Sequence, residues 1–189
     1  MAQTTSNALT KNYRGKFGNH FSFRNRNGKS ILASLPKRKR KKDRGSAAQQ
    51  QTRRRFANAS HYAKHVLLEP DMLADYTARA KKGMTAYNVA LTDFLLSPWI
   101  ETIDVEGYTG NPGDLIRVQA FDDFQVTEVN IRIIDANGNQ VEAGPCQAVS
   151  RGIWWEYTAS VAITSLAGIQ IIAIARDNPG NKTEESMIF

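Results

Sequence analysis

Two histidines, His61 and His65, lie four residues apart in a segment with helical periodicity. This spacing places both imidazoles on one face of a helix, as in the zinc hydrolases that carry a His-Glu-x-x-His motif. Those enzymes need a glutamate directly after the first histidine, and Tyr62 occupies that position here. Because no other obvious ligand is near in sequence, we interpret the two histidines as part of a basic helix surface.

Four aspartates of the C-terminal half lie in or beside predicted turns: Asp122, Asp123, Asp135 and Asp177. Carboxylate oxygens collected at one end of a β-sandwich could bind Ca²⁺. Turn formation and the protection of sheet edges explain these acids equally well. We therefore predict no bound metal and no other cofactor.

The other residues that could do chemistry do not form a catalytic set. Gly28, Lys29 and Ser30 match the end of a phosphate-binding loop, but Phe23 stands where that loop needs its first glycine. Cys146 is the only cysteine, so no intrachain disulfide can form, and no histidine follows it in the chain to activate the thiol. We expect a protein that is not an enzyme and has no small-molecule substrate.

The two halves of the chain carry opposite charge. Residues 1–98 hold 20 Lys and Arg against 5 Asp and Glu, a net charge of +15. Residues 99–189 hold 5 against 13, a net charge of −8. Summed charge governs association more than fold, so either the opposite ends of neighbouring copies attract each other or the basic end binds a polyanion.

The basic half contains two runs of cations that could bind an acidic partner. They are Lys37, Arg38, Lys39, Arg40, Lys41 and Lys42, and then Arg53, Arg54 and Arg55. Between residues 36 and 55 no apolar side chain is larger than alanine, so we expect this segment to be disordered unless a partner holds it. A solvated linker, a nucleic-acid contact and a contact with an acidic protein face are all compatible with the first run.

Apolar spacing predicts a basic β-hairpin followed by three helices. The hairpin covers about residues 19–34, because Asn-Gly, a favoured type I′ turn, lies between two short apolar runs there. Helical periodicity predicts helices over 46–68, 70–82 and 85–96, and Ser46 is a candidate cap of the first. Helices of these lengths can bury a small shared core.

Beyond residue 99 the apolar periodicity changes to about 2, which is typical of strands. The predicted strands are separated by turns rich in Gly, Asn, Asp and Pro and cover 100–106, 114–121, 127–134, 140–143, 153–161, 168–176 and 183–189. This pattern predicts a two-sheet antiparallel sandwich. Trp154 and Trp155 point to opposite faces of their strand, so one belongs to the core and the other lies outside.

The C-terminal half resembles bacterial immunoglobulin-like and cadherin-like modules. The resemblance rests on residues 120–129, on the turn at 135–138, on the Trp155-x-Tyr157 strand and on the closing segment 173–181. It implies an immunoglobulin-like sandwich with adhesive or structural use. Fold alone does not establish that function.

The N-terminal half resembles a group of uncharacterised bacterial proteins with a basic N-terminal hairpin. The matching residues are Gly15, Gly18, Phe23, Arg26, Gly28 and Lys29, followed by the helical segments 75–81 and 86–90. This resemblance implies no activity.

These observations predict an α+β protein of two domains with a basic arm: an arm with a hairpin over 1–45, a three-helix unit over 46–98 and an immunoglobulin-like sandwich over 99–189. No secretory signal and no apolar run long enough to span a bilayer is present in the sequence. We expect no membrane span, and a location in the cytoplasm, release by a non-Sec route, or a place in an extracellular fibre or particle.

We predict a structural protein that assembles head-to-tail with copies of itself into a filament or another polymer. The basic arm of one copy would bind the acidic sandwich of the next. The expected apolar anchors are Phe17, Phe21, Phe23, Ile31, Trp154 and Trp155. The expected acidic docking face consists of Asp122, Asp123, Glu128, Glu184 and Glu185. Two alternatives are a nucleic-acid-binding protein that uses the basic half, and a component of a virion or injection machine.

Overall fold

A computed structural model describes the backbone of residues 2–4 and, with side chains, residues 13–26, 28–35, 45–149 and 152–189. The predicted cation run at 37–42 lies outside these residues. The chain forms two compact units, Met1–Gln51 and Thr52–Phe189. The helices from residue 52 onward and the sandwich therefore share the second unit, and the predicted boundary after residue 98 falls inside it.

The first unit contains a four-stranded antiparallel sheet in the order β1-β4-β3-β2. Its strands are β1 (Ala2–Thr4), β2 (Gly15–Phe17), β3 (Phe21–Arg26) and β4 (Lys29–Ser34). The pair β3–β4 confirms the predicted hairpin, and Gly28 in its turn has a φ of +76°. The two three-residue strands at the sheet edges were not predicted, because so short a segment shows no alternation.

Three helices follow at the predicted positions: α1 (Ala47–Val66), α2 (Pro70–Arg79) and α3 (Ala86–Leu95). The Ser46 hydroxyl accepts the backbone N–H of Gln49 at 3.3 Å, which confirms the predicted cap of α1. The hydroxyl of Thr85 caps α3 in the same way. Within the described residues no helix is both long and apolar enough to cross a membrane.

The rest of the second unit is a pair of four-stranded antiparallel sheets, so the fold is α+β as predicted. The strands are β5 (Trp99–Asp104), β6 (Leu115–Phe121), β7 (Val126–Ile134), β8 (Gln140–Pro145), β9 (Gln147–Val149), β10 (Trp154–Thr158), β11 (Gln170–Asp177) and β12 (Lys182–Ile188). One sheet has the order β5-β6-β10-β9 and the other β12-β11-β7-β8. All seven predicted strands are present, and β9 is an additional one.

Alternate residues of both sheets enclose one apolar core. Ile116 and Val118 of β6 meet Ile131 and Ile133 of β7 and Ile171 of β11, and all five are fully buried. Each such side chain contributes about 1.5–3 kcal/mol of transfer free energy, so this core is the main source of stability in the second unit.

The helices pack on the sandwich through an aromatic side chain that the sandwich supplies. Phe124, in the turn between β6 and β7, is buried in a small cluster with Ala63 of α1, Tyr76 of α2 and Ala90 of α3. Its ring stacks on the Tyr76 ring with centroids 4.2 Å apart, and the Arg79 guanidinium covers it at 4.3 Å. The helical cluster is therefore completed by a residue of the β part.

The loop between β5 and β6 offers a stability test with a matched control. Gly110 and Gly113 have φ values of +93° and +96°, which disfavour any side chain. A Cβ at Gly110 would lie 2.6 Å from the carbonyl oxygen of Ile163, whose N–H donates to Gly110 O, whereas a Cβ at Gly113 meets nothing within 4 Å.

We expect Gly113→Ala to lower the free energy of unfolding by about 1–2 kcal/mol and Gly110→Ala by at least about 2 kcal/mol more, because only the second substitution adds a clash with backbone. Urea denaturation monitored by tryptophan fluorescence measures both values. Equal losses for the two variants would contradict the packing described around Gly110.

Candidate functional site

The sheet of the first unit exposes aromatic side chains on one face. Phe17 is paired with Phe21, and Phe21 and Phe23 are two residues apart on β3, so all three share a face. The rings of Tyr13 and Phe17 each lie 6.1 Å from that of Phe23. Tyr13, Phe17 and Phe21 remain 61%, 67% and 41% exposed. We call these four residues the aromatic face.

The opposite face of the same sheet carries the charge. Lys16 pairs with Ser22, which places it with Arg24 and Arg26 on the side away from the aromatic face. Lys29 pairs with Arg26, and Ile31 pairs with Arg24. The predicted anchor Ile31 is therefore on the basic side of the sheet, separate from the three phenylalanines.

The two tryptophans of β10 lie on opposite faces, as predicted. Trp155 belongs to the sandwich core, where its indole N–H donates to the Gly152 carbonyl at 3.0 Å. Trp154 is half-buried on the outer face, beside Arg117 and Glu156, which form an ion pair at 2.8 Å. Trp155 is thus excluded as an interface anchor and Trp154 remains one.

The predicted acidic docking face divides into three groups. Glu128 pairs with Arg176 at 3.6 Å and Glu184 pairs with Arg132 at 3.7 Å, both on the solvent side of the β7–β11–β12 sheet. Asp123 and Glu185 are exposed. Asp122 belongs instead to a buried cluster, described below.

The remaining predicted site residues lie on α1. Arg53, Arg54, His61 and His65 are exposed, and the Arg55 guanidinium donates to the carbonyl oxygen of Leu95 at 2.7 Å. Neither histidine belongs to a cluster of three potential metal ligands within the described part of the chain. Arg55 thus caps the end of α3.

Cys146, the candidate nucleophile that the sequence excluded, lies in the sandwich core. Burial raises the pKa of its thiol to about 12. Its own backbone N–H donates to the Val129 carbonyl at 2.8 Å, which holds the residue in the core. The Cys146 side chain therefore contributes to the packing of the core.

At pH 8 a thiol with this pKa is ionised to about one part in ten thousand, so we expect iodoacetamide to leave native Cys146 unmodified. The same reagent should alkylate it fully in guanidinium chloride, where the pKa returns to its ordinary value and the side chain is accessible. Mass spectrometry of the intact protein measures both states. Rapid alkylation of the folded protein would contradict the buried position.

Three carboxylates meet where the helices join the sandwich. Asp93 comes from the last turn of α3, Asp122 follows β6, and Asp177 ends β11. One carboxylate oxygen of each lies within 4.8 Å of those of the other two. Asp93 and Asp177 are only 1% and 2% exposed. We call these three residues the acidic junction.

A chain of tyrosines orients Asp93. The Tyr76 hydroxyl donates to Asp93 Oδ2 at 2.5 Å, and the Tyr62 hydroxyl lies 3.0 Å from that of Tyr76. These bonds use Oδ2, and the buried Oδ1 has no hydrogen-bond partner. Tyr76 lies on α2 and Tyr62 on α1, so all three helices contribute to the position of this carboxylate.

Backbone N–H groups orient Asp122, and an asparagine orients Asp177. The N–H groups of Phe124 and Gln125 both donate to Asp122 Oδ2 at 2.8 Å, which leaves the buried Oδ1 without a partner. Asn181 donates its N–H to Asp177 Oδ1 at 2.6 Å and its amide to Oδ2 at 2.7 Å. Each aspartate therefore holds its own turn closed.

The amide of Asn181 also reaches the helical part. It donates to the carbonyl oxygen of Leu96 at 3.0 Å and lies 3.3 Å from that of Phe94. The Thr183 hydroxyl donates to the Pro98 carbonyl. The turn between β11 and β12 thus satisfies carbonyls that the end of α3 leaves without helical partners.

Burial and the charges of neighbouring carboxylates make the charged forms of Asp93 and Asp177 costly. Desolvation, together with the charges of Asp122 and Asp177, raises the pKa of Asp93 to about 7, although the hydrogen bond from Tyr76 and the more distant Arg79 act in the opposite direction. Desolvation also raises the pKa of Asp177. A positive charge beside Asp93 and Asp177 would favour their ionised forms.

The sequence pattern placed Asp122 and Asp177 in one candidate group with Asp123 and Asp135, whereas the structure brings them together with Asp93. Asp135 accepts hydrogen bonds from Asn137 and Asn139 in an exposed turn at the far end of β7. Asp93 was missed, because it lies 29 residues before Asp122 and 84 before Asp177. One feature of the sequence could have indicated Asp93: it is the only acid of a mostly apolar helix, and it lies in the last turn, where the helix dipole disfavours negative charge.

Comparisons with known proteins add little. No family model and no curated protein matches the chain. Among solved structures, the chain is similar to the crystal structure of Parabacteroides merdae β-glucuronidase with glycerol in its active site, with a TM-score of 0.34 and 10% identity. That match covers 49% of this chain and 13% of the other. A likeness at this level carries no argument about fold or activity.

Proposed function

We propose that the protein is a non-enzymatic structural protein that assembles head-to-tail, with the first unit of one copy bound to the second unit of the next. The observation that carries this proposal is the exposure of Tyr13, Phe17 and Phe21 on one face of a small sheet. Neighbouring exposed aromatic rings are uncommon on monomers and enriched at interfaces, where they supply buried area.

Charge selects the partner surface. The first unit, residues 1–51, holds 13 Lys and Arg against 1 acid, a net charge of +12. The second unit, residues 52–189, holds 12 against 17, a net charge of −5. Opposite charge speeds the encounter of two copies and fixes their register, so the second unit of another copy is the occupant that fits the basic first unit.

The acids of the sandwich are available for such a contact. Glu184 and Glu128 form intrachain ion pairs that are exposed to solvent, and pairs of this kind contribute only about 0–1 kcal/mol. Asp123 and Glu185 are exposed as well. A basic partner can therefore replace or share these ion pairs at little cost in free energy.

We also infer that the sandwich is immunoglobulin-like. Lettering β5 to β12 as A, B, C, C′, D, E, F and G gives sheets in the order A-B-E-D and G-F-C-C′. This is the strand order of immunoglobulin-type sandwiches with one strand added beside C. The order supports structural use, which many such domains share, without assigning a partner.

A contact between two different surfaces of identical copies continues indefinitely unless rotation closes a ring. We therefore expect purified full-length protein at low salt and tens of micromolar concentration to form particles of high mass or filaments, without added nucleic acid. Negative-stain microscopy and sedimentation velocity measure this. Raising the salt concentration should dissolve the assemblies, because screening weakens the attraction between the charged surfaces. A monodisperse monomer under the low-salt condition would refute the proposal.

Substitutions on the aromatic face test which surface is responsible. The double variant Phe17→Ser, Phe21→Ser should remain monomeric, because it removes the apolar area of the contact. Leu68→Ser is the matched control, since Leu68 is 73% exposed but lies after α1, outside the sheet. The control should assemble like the wild type. If the double variant also assembles normally, the aromatic face is not the contact surface.

One observation favours a second candidate, a protein that binds single-stranded nucleic acid. Exposed rings such as Phe17 and Phe21 on a basic unit can stack on bases, at about 1–3 kcal/mol per base. Fluorescence anisotropy with a labelled oligonucleotide distinguishes the two functions. Binding that weakens steeply with salt and is lost in the double variant, together with a wild type that stays monomeric alone, would favour this candidate.

A further inference from the structure

We propose that the acidic junction of Asp93, Asp122 and Asp177 is a Ca²⁺ site that fastens the three helices to the sandwich. This site does not rest on the proposed assembly, because its residues lie neither in the N-terminal sheet nor among the surface acids that the assembly would use, Asp123, Glu128, Glu184 and Glu185.

The junction brings carboxylate oxygens together and leaves two of them without a hydrogen bond. One oxygen of each aspartate lies within 4.8 Å of those of the other two. Oδ1 of Asp93 and Oδ1 of Asp122 are buried without a hydrogen-bond partner. Buried carboxylate oxygens are normally satisfied, because each one left without a partner costs the free energy of its desolvation. Asp93 is almost fully buried, so protein or a bound ligand must supply the missing partner.

The surrounding protein does not supply the missing positive charge. Among the described residues no Lys or Arg forms an ion pair with any of the three aspartates. Arg79 acts on Asp93 without forming an ion pair with it, and its guanidinium lies over the Phe124 ring. The Arg55 guanidinium is bound to the Leu95 carbonyl at the end of α3 and not to the carboxylates. A cation between the three aspartates would offset their negative charge.

The donors and their burial favour calcium. All three side chains offer hard oxygen ligands, which Ca²⁺ and Mg²⁺ prefer over transition metals. Mg²⁺ demands a near-ideal octahedron and usually keeps several waters, whereas Ca²⁺ accepts several protein carboxylates in a flexible geometry. A cluster of three carboxylates, two of them almost fully buried, therefore suits calcium better.

Solvent can reach the junction from two surface grooves. Arg79 and Phe124 line both grooves, and one of them extends to Asp122 while the other extends to Asp93. Ca²⁺ takes 6–8 oxygen ligands, so water entering by these grooves would complete a shell that three carboxylates begin. The grooves also provide the path by which the ion enters.

Calcium binding should be measured on the full-length protein after removal of divalent cations. We expect isothermal titration with CaCl₂ to give one site per chain, and the melting temperature to rise by about 5–10 °C at a concentration about 100-fold above Kd. MgCl₂ should give a smaller rise. Terbium, a luminescent substitute for calcium, should bind with emission sensitised by Tyr76 and be displaced by CaCl₂.

Two substitutions of nearly equal volume assign the site. Asp122→Asn and Asp93→Asn should lower the affinity for Ca²⁺ at least about tenfold, because each removes one charged ligand. Asp123→Asn and Asp135→Asn are the controls, since Asp123 is the exposed neighbour of Asp122 and Asp135 closes a similar turn at the far end of β7, and both variants should bind like the wild type. Circular dichroism confirms that each variant is folded.

Three outcomes would overturn the proposal. The first is a wild type that shows neither a binding heat nor a rise in melting temperature with CaCl₂, a result that depends on no variant. The second is binding that the junction variants retain. The third is binding that Asp123→Asn or Asp135→Asn abolishes, which would place the ion elsewhere. Loss of calcium binding with normal assembly would leave the proposed function intact, so the two proposals fail separately.

Discussion

The second unit depends on placing negative charge where helices and sandwich meet. Asp122 and Asp177 each close a tight turn, and Asp93 receives the hydroxyl of Tyr76 from a neighbouring helix. Each carboxylate has a local structural role, yet together they concentrate negative charge at a point where two of the three side chains, Asp93 and Asp177, are almost fully buried. Burying charge without a counter-charge is among the most costly arrangements in a protein. This repulsion makes the junction the feature that most needs a further partner.

Phe124 and Asn181 explain why the helices do not form a separate domain. The helical segments bury few large side chains of their own, and Phe124 fills their cluster from the sandwich. Asn181 then bonds to carbonyls at the end of α3. Small domains are marginally stable when their apolar core is small, and a core shared with a larger neighbour removes that limit. The helices and the sandwich therefore stabilise each other.

The first unit follows a different design. Its sheet is short, basic on one face and aromatic on the other, and three of its aromatic side chains remain exposed. A sheet of this size is at the lower limit of independent stability. Burial of the aromatic face against another surface would supply apolar area that the unit lacks alone, so the proposed assembly would also stabilise the first unit.

The sequence by itself determined the elements and the charge asymmetry, because both depend on neighbours in the chain. Periodicity placed the hairpin, three helices and seven strands to within a few residues, and it failed only for β1, β2 and β9, each of three residues. It also showed that Trp154 and Trp155 lie on opposite faces, but which of them enters the core depends on the facing sheet.

The acidic junction was decided by tertiary structure alone. Asp93 meets Asp122 and Asp177 only because Phe124 brings α3 against two turns of the sandwich, and no spacing along the chain records that contact.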